Sequence, residues 1–203
     1  MGDLALLVLA VLCLAVFACL LVKVLKRQAM RIDRVGYALF VEKLRSPALT
    51  VAMKAVSNMA SLPFVVGVLV ATFIGAPCRI QVICAAANVG LISAIDQLLK
   101  VLVRRPRPQG FRLVEAVGFS FPSGHSMAAM AFYGYGIWLV QGGAGGFSSN
   151  VFAVMALACV ILAVGASRIY LGVHYASDVL GGFCLALAWL ILFVRLVPPI
   201  IVA

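Results

Sequence analysis

Two features of the sequence predict an all-α, polytopic integral membrane protein with six transmembrane helices. First, 65% of the residues are hydrophobic, only 11% are charged and the mean hydropathy is +1.18, so a soluble domain would lack polar surface. Second, six predominantly apolar runs follow one another, and a membrane-spanning helix needs about 20 such residues. We therefore expect residues 1–203 to form one membrane-embedded domain that lies in the cell membrane.

The six apolar runs are the candidate spans Leu4–Val22, Leu62–Ala76, Ile80–Leu99, Ser126–Val140, Val151–Tyr170 and Val179–Val197. The first run resembles a signal peptide, but it is too long and its positive charges follow it, so we expect a retained helix. The second and fourth runs are short, and we expect them to extend towards the N-terminus. For the fourth, the extension would pass through Pro122, because proline is tolerated in the first turn of a helix. Glycines and serines after Gln141 predict a turn before the fifth run.

The connector between the first two spans, Lys23 to Ser61, is rich in lysine and arginine. Its Arg31–Leu44 segment is either a short interfacial helix or an irregular helical connector. The net charge of +10 can indicate nucleic acid, but in a membrane protein basic groups more often mark cytoplasmic loops or contacts with anionic lipids. We expect no nucleic-acid partner.

A cluster of cations follows the third span. Lys100 and Arg107 can surround one anion, because the prolines beside Arg107 stop the helix and turn the chain back. Arginine offers a planar fork suited to phosphate oxygens, whereas lysine acts as a point charge. We assign Arg104 and Arg105 to lipid headgroups or solvent. A basic stop at the end of a membrane helix is the alternative interpretation.

The segment Pro122-Ser123-Gly124-His125 precedes the fourth span. It combines a hydroxyl group, a glycine that permits close approach to the backbone, and the amide donors of a helix N-terminus, which favour bound anions. His125 would then stand within reach of a leaving-group oxygen. A capped helix start with an incidental histidine is the alternative.

Ser167-Arg168 lie at the end of the fifth span, and His174 and Asp178 lie between the fifth and sixth spans. If the last two share a helix, Asp178 lies one turn from His174 and can bond one imidazole nitrogen, which leaves the other free to attack. A solvated helix end with an ion pair is the alternative, although ionisable groups near membrane helices are costly without a role.

Six spans place the first, third and fifth loops on one membrane face. The segments Lys100–Pro108, Pro122–His125 and Arg168–Asp178 all fall on this face, and the sequence therefore predicts one shared site. Two further assignments concern the third span. Asp96 is expected to form a packing ion pair with Lys100, and Asn88 and Gln97 to form hydrogen bonds between helices.

The chain resembles the type 2 phosphatidic acid phosphatase family in three signature motifs, which occur in the family's order: Lys100-x6-Arg107-Pro108, Pro122-Ser123-Gly124-His125 and Ser167-Arg168-x5-His174-x3-Asp178. The resemblance extends roughly from Asp33 to the C-terminus. It is greatest to bacterial phosphatidylglycerophosphate phosphatase B-like enzymes and undecaprenyl-pyrophosphate phosphatases.

The resemblance implies hydrolysis of a terminal lipid phosphate without metal or cofactor. His174 would attack phosphorus and form a phosphohistidine, Asp178 would orient it, and His125 would protonate the leaving oxygen. The resemblance assigns phosphate binding and transition-state stabilisation to Lys100, Arg107, Ser123, Gly124 and Arg168. The candidate substrates are undecaprenyl pyrophosphate, phosphatidylglycerophosphate and phosphatidate, all of which place a phosphate on an apolar tail.

Two questions stay open at this point. Of the sixteen basic residues only Arg79 and Arg195 lie on the face opposite the motifs, which favours a cytoplasmic site, whereas the resemblance favours the extracytoplasmic side. We expect the latter. A lipid phosphotransferase and an inert lipid-binding or scrambling protein are the alternative functions, and the oligomeric state is not predicted.

Overall fold

The computed structural model describes residues 2–75, 79–142 and 150–196, and these residues form helices and connecting loops without strands. The helices are α1 (Gly2–Leu25), α2 (Arg31–Tyr37), α3 (Pro47–Asn58), α4 (Leu62–Gly75), α5 (Arg79–Val103), α6 (Gly124–Gly142), α7 (Val151–Tyr170) and α8 (Ala176–Leu196). A π-helix, Ala38–Lys43, continues α2. The predicted all-α class is confirmed. The predicted turn before α7 falls mostly on residues 143–149, which lie outside the described ranges.

Four of these helices, α1, α5, α7 and α8, are long and apolar enough to cross a membrane. Helices α3 and α4 meet at an angle of 53° and would together make a fifth span. The second predicted run therefore extends through a bend rather than as one continuous helix. Helix α6 covers the fourth run but begins at Gly124, after Pro122, and its glycines, tyrosines and histidine lower its hydropathy. The predicted count of six spans is not confirmed.

Helix α8 lies at the centre of the bundle, where it packs against α1 and α6, and α6 packs in turn against α5 and α7. The absence of a side chain at Gly165 allows α7 to approach α8, because a Cβ there would lie 2.4 Å from the Phe183 ring. The Asn88 amide donates to the Ala131 carbonyl at 2.9 Å and accepts from Trp189 at 2.8 Å, so its predicted interhelical bonds are present. Gln97 instead donates to Asp96 on its own helix, and its predicted interhelical bond was wrong.

The first connector is helical and rests on the end of the bundle where α7 ends and α8 begins. Gly36 of α2 lies directly against Ala176, at the first residue of α8. Further along, the guanidinium of Arg45 donates to the carbonyl of Tyr170 at 2.8 Å. The predicted helix within Arg31–Leu44 is therefore present, and its position relative to the lipid interface stays a prediction.

Candidate active site

A cavity of about 390 Å³ opens where α5 ends and α6 begins, beside the loops that precede α6 and α8. Its wall includes six of the eight side chains or backbone positions singled out from the sequence: Lys100, Arg107, Gly124, His125, Arg168 and His174. The three sequence segments thus meet in one place, although Ser123 and Asp178 lie behind the cavity wall. Among the described residues, no group of three or more His, Cys, Asp or Glu side chains is arranged to hold a metal ion.

The guanidinium of Arg107 is fixed by backbone carbonyls from two loops. Its Nε donates to Gly118 at 3.1 Å, Nη2 donates to Val117 at 3.1 Å, and Nη1 donates to Val173 at 2.9 Å. Nη1 also lies 3.0 Å from Nε2 of His174. Burial lowers the pKa of Arg107, although Asp178 opposes that shift. The side chain is therefore a preoriented cation beside the imidazole.

The hydrogen-bond network assigns one tautomer to His174, which is only 3% exposed. Nδ1 lies 2.7 Å from the backbone carbonyl of Ser120, and a carbonyl can only accept. Nδ1 therefore carries the proton, and Nε2 presents its lone pair beside Arg107. An unprotonated Nε2 at the cavity wall is a competent nucleophile.

Asp178 lies close to His174, but not through the geometry expected from sequence. His174 precedes α8, and its Nδ1 is 3.6 Å from Oδ2 of Asp178, so the shared-helix argument was wrong. The direct partner of Nδ1 is the Ser120 carbonyl. Asp178 Oδ2 instead accepts from the Ser120 hydroxyl at 2.5 Å and from the Tyr175 amide at 2.9 Å. The fully buried carboxylate still places a negative charge beside the imidazole.

Ser120 and Arg105 are site residues that the sequence analysis missed. Arg105 was assigned to headgroups or solvent, but it donates to Asp178 at 2.5 Å and to Asp33 at 2.8 Å. Its neighbour Arg104 is exposed, as expected, and its side chain donates to the carbonyl of Val101 on the preceding turn. Nothing in the order Arg104-Arg105 distinguishes the two residues. Ser120 lies next to the second motif, but no spacing rule connects it with His174.

Ser123 and Gly124 occupy different positions in the site. Ser123 is fully buried, its hydroxyl accepts from Ser126 at 2.9 Å, and its amide donates to the Asp178 carbonyl at 3.1 Å. Its predicted contact with phosphate is not supported by this placement and stays a prediction. Gly124 lines the cavity and begins α6, where the amides of the first turn can face an anion.

The cations of the cavity are unequally paired. Lys100 lies 2.5 Å from Asp96, so the ion pair expected from their spacing is present. Arg168 is 7% exposed, and its Nη1 bonds the hydroxyl of Ser57. Its buried Nε has no hydrogen-bond partner among the described residues. A buried donor without a partner is unfavourable, and a phosphoryl oxygen in the cavity would satisfy it.

Gly124→Ala is expected to impair the site without unfolding the helix. A Cβ at this position would lie 2.6 Å from Oδ2 of Asp96 and 2.9 Å from Nζ of Lys100, so the ion pair must move. Because small displacements of charged groups can reduce catalysis about 100-fold, we expect a loss of that order in kcat/KM. Gly136→Ala on the same helix is the control, since its Cβ meets Leu157 at an ordinary 3.5 Å. Equal activity of the two variants would contradict the prediction.

The imidazole of His174 is expected to stay neutral at pH values well below those at which histidine usually titrates. Burial lowers its pKa to about 4, against the opposing effect of Asp178. A lowered pKa means that the imidazole gains its second proton only as the pH falls towards 4, so Nε2 is unprotonated at neutral pH. The chain has two histidines, and ¹⁵N-histidine spectra of the protein and of His125→Gln would assign both rings. Titration of His174 near the ordinary pKa of about 6.5 would contradict this prediction.

Comparison with known proteins agrees with the geometry of the cavity. The sequence profile described as the PAP2 superfamily matches residues 81–201, a range that contains all three motifs. The chain belongs to the PAP2 superfamily. Within that superfamily it is 43% identical over 94 residues to phosphatidylglycerophosphatase B of Bacillus subtilis (strain 168). That match covers 46% of this chain and 46% of the relative, so it spans about half the length of either protein.

Two solved structures share the fold. A transmembrane PAP2 type phosphatidylglycerolphosphate phosphatase from Bacillus subtilis superposes with a TM-score of 0.80 and 25% identity, over 92% of this chain and 94% of that one. Aquifex aeolicus LpxE superposes with a TM-score of 0.63 and 22% identity, over 78% of this chain and 92% of that one. The match to the Bacillus subtilis structure extends along nearly the whole length of both chains. It therefore includes helices α1 to α4, which precede the residues matched by the family profile. The protein is accordingly a multi-pass membrane protein.

Proposed function

We propose that this protein is a lipid phosphatase that removes a terminal phosphate from a membrane lipid phosphate or diphosphate through a phosphohistidine on His174. The observation that carries the proposal is the His174 imidazole, whose Nδ1 bonds the Ser120 carbonyl and whose Nε2 faces Arg107 at a cavity lined with cations. Attack on phosphorus requires a fixed tautomer with an unprotonated Nε2, and the hydrogen bond that Nε2 accepts from Arg107 would be exchanged for the bond to phosphorus.

In the proposed first step, Nε2 of His174 forms a bond to phosphorus while the bond from phosphorus to the lipid oxygen breaks. His125, on the cavity wall and doubly protonated once the negatively charged phosphate is bound beside it, gives one proton to that oxygen, and the alcohol leaves. In the second step His125 takes a proton from water, the resulting hydroxide attacks phosphorus, and inorganic phosphate is released. The free imidazole of His174 is then regenerated with its proton still on Nδ1.

The cations Lys100, Arg107 and Arg168 would bind the phosphoryl oxygens as charge develops on them in the transition state. Preorganisation supports this role, because Arg107 is held by three carbonyls and Arg168 by Ser57 before any ligand arrives. Asp178 would stabilise the positively charged ring of the phosphohistidine from 3.6 Å.

Phosphatidylglycerophosphate is the first candidate substrate, because the curated relative and the solved structure with 25% identity both carry that activity in their names. Undecaprenyl pyrophosphate and phosphatidate remain candidates, since the cavity groups recognise a phosphate rather than a tail. We place the site on the extracytoplasmic side of the cell membrane. Val117 is 94% exposed beside the cavity. Labelling of Val117→Cys by an impermeant maleimide on intact cells, in a protein whose six native cysteines are replaced by alanine, would test that side.

The test of function is phosphate release by the detergent-purified protein in EDTA, with the three lipids offered side by side. Release that disappears in His174→Ala would support the proposal, and the order of rates would name the preferred substrate. No release from any lipid would contradict it. In that event, lipid binding without turnover would indicate the inert alternative, and radiolabel in a second lipid would indicate a phosphotransferase.

A further inference from the structure

We propose that Arg105 and Asp33 are positioning residues for the His174–Asp178 pair, which makes helix α2 part of the catalytic machinery. The proposal rests on the proposed phosphatase function. The guanidinium of Arg105 bridges two carboxylates from distant parts of the chain, Asp33 and Asp178.

The Arg105 fork connects three elements of the fold. Nη1 donates to Oδ1 of Asp178 at 2.5 Å and to the Ser177 hydroxyl at 2.7 Å, while Nη2 donates to Oδ2 of Asp33 at 2.8 Å. The guanidinium carbon lies 4.2 Å from the centroid of the Tyr175 ring. Because Oδ1 of Asp178 is held from this side, Oδ2 is directed towards Ser120 and the imidazole of His174.

Asp33 also fixes the first turn of α8. Its Oδ1 accepts from the Ser177 amide at 2.8 Å, and its Oδ2 accepts from the Ser177 hydroxyl at 3.0 Å. A carboxylate at the N-terminus of a helix satisfies amide donors that have no partner within the helix, and its charge is favourable there. Asp33 therefore caps, from another helix, the turn that carries Asp178.

The charges of Arg105, Asp33 and Asp178 explain why Asp33 is needed beside Arg105. A guanidinium paired with Asp178 alone would offset the negative charge that the phosphohistidine requires. With Asp33 on the other side of the fork, two carboxylates share one cation, and the group keeps a net negative charge beside His174. The side chains of Arg105 and Asp33 are only 14% and 12% exposed, so water screens this interaction weakly.

The test uses Arg105→Lys and Asp33→Asn, with Arg104→Lys as the matched control one residue away. Lysine keeps the charge but loses the planar fork, and asparagine keeps an acceptor for Ser177 but loses the charge. We expect kcat on phosphatidylglycerophosphate to fall about 100-fold in Arg105→Lys and about tenfold in Asp33→Asn. Single-turnover labelling should show slower formation of the phosphoenzyme in both variants.

Product inhibition by inorganic phosphate separates a positioning role from a structural one. Phosphate binds through the cavity cations without a bond to His174, so its inhibition constant and KM should change less than about threefold in the two variants while kcat falls. A parallel loss of phosphate affinity and melting temperature would instead assign Arg105 a structural role. Unchanged kcat in both variants would also overturn the proposal. If the unmodified protein hydrolyses no lipid, the proposed function fails instead, and the outcomes are thus distinguishable.

Discussion

His174→Ala is expected to abolish phosphate release, with a fall of about 10⁵-fold in kcat, as for removal of a catalytic nucleophile elsewhere. The substitution removes Nε2, an unprotonated imidazole nitrogen whose ring is held in place by the Ser120 carbonyl and Arg107. Arg107 and the other cations can still bind phosphate, but they cannot form the covalent intermediate. Radiolabelled phosphate should therefore not become attached to the variant.

His125→Ala is the comparison that separates the two histidines. It should lose activity on lipids, whose alkoxide leaves only with a proton, but recover much of it on a phosphate ester with an acidic phenol as leaving group. His174→Ala should not recover on that ester. Phosphoenzyme that survives in His174→Ala and disappears in His125→Ala would reverse the two assignments.

The sequence allowed the cations and both histidines of the cavity wall to be predicted, because these residues lie at or near the ends of apolar runs. Membrane-spanning helices confine their connecting loops to the two faces of the membrane. With six spans, the motifs after the third span, before the fourth and after the fifth therefore lie on the same face. Lys100, His125 and His174 could be placed together on this argument alone, and the cavity includes all three. The pairing of Asp96 with Lys100 was predictable for the simpler reason that they are one helical turn apart.

The partners of Asp178 could not be predicted, because they come from distant parts of the chain. Arg105 is 73 residues from Asp178 and 72 from Asp33, and no local periodicity relates positions so far apart. The chain direction at the end of α5 decides which arginine turns inward. Arg104 has a φ of 51°, a left-handed conformation that directs it outward, whereas the next residue reaches Asp178.

The number of spans was uncertain for a different physical reason. Helix α6 carries His125 and several glycines and tyrosines, since it must both contribute to the site and pack closely within the bundle. Tyr133, for example, donates to the Met59 carbonyl at 2.7 Å. A helix surrounded by other helices does not need the hydropathy of one that faces lipid, so hydropathy alone is a weak criterion for it.

Arg168→Ala is expected to lower kcat/KM by about 10³-fold, because it removes a buried, preorganised cation from the phosphoryl site. The backbone of the site should persist in this variant. The carbonyl of Arg168 accepts from the amides of Val173 and His174, and that carbonyl is retained when the side chain is truncated. The loss would therefore report the guanidinium itself.

Vanadate provides the decisive measurement for Arg168, because pentacoordinate vanadate resembles the transition state of phosphoryl transfer. If the guanidinium stabilises that state, the inhibition constant should rise in Arg168→Ala in proportion to the loss of kcat/KM. Ser57→Ala is the matched control, since it removes the hydroxyl that holds Nη1 but leaves the charge in the cavity. It should have a much smaller effect on both quantities. Equal vanadate inhibition of Arg168→Ala and the unmodified protein would place the guanidinium outside the transition-state contacts.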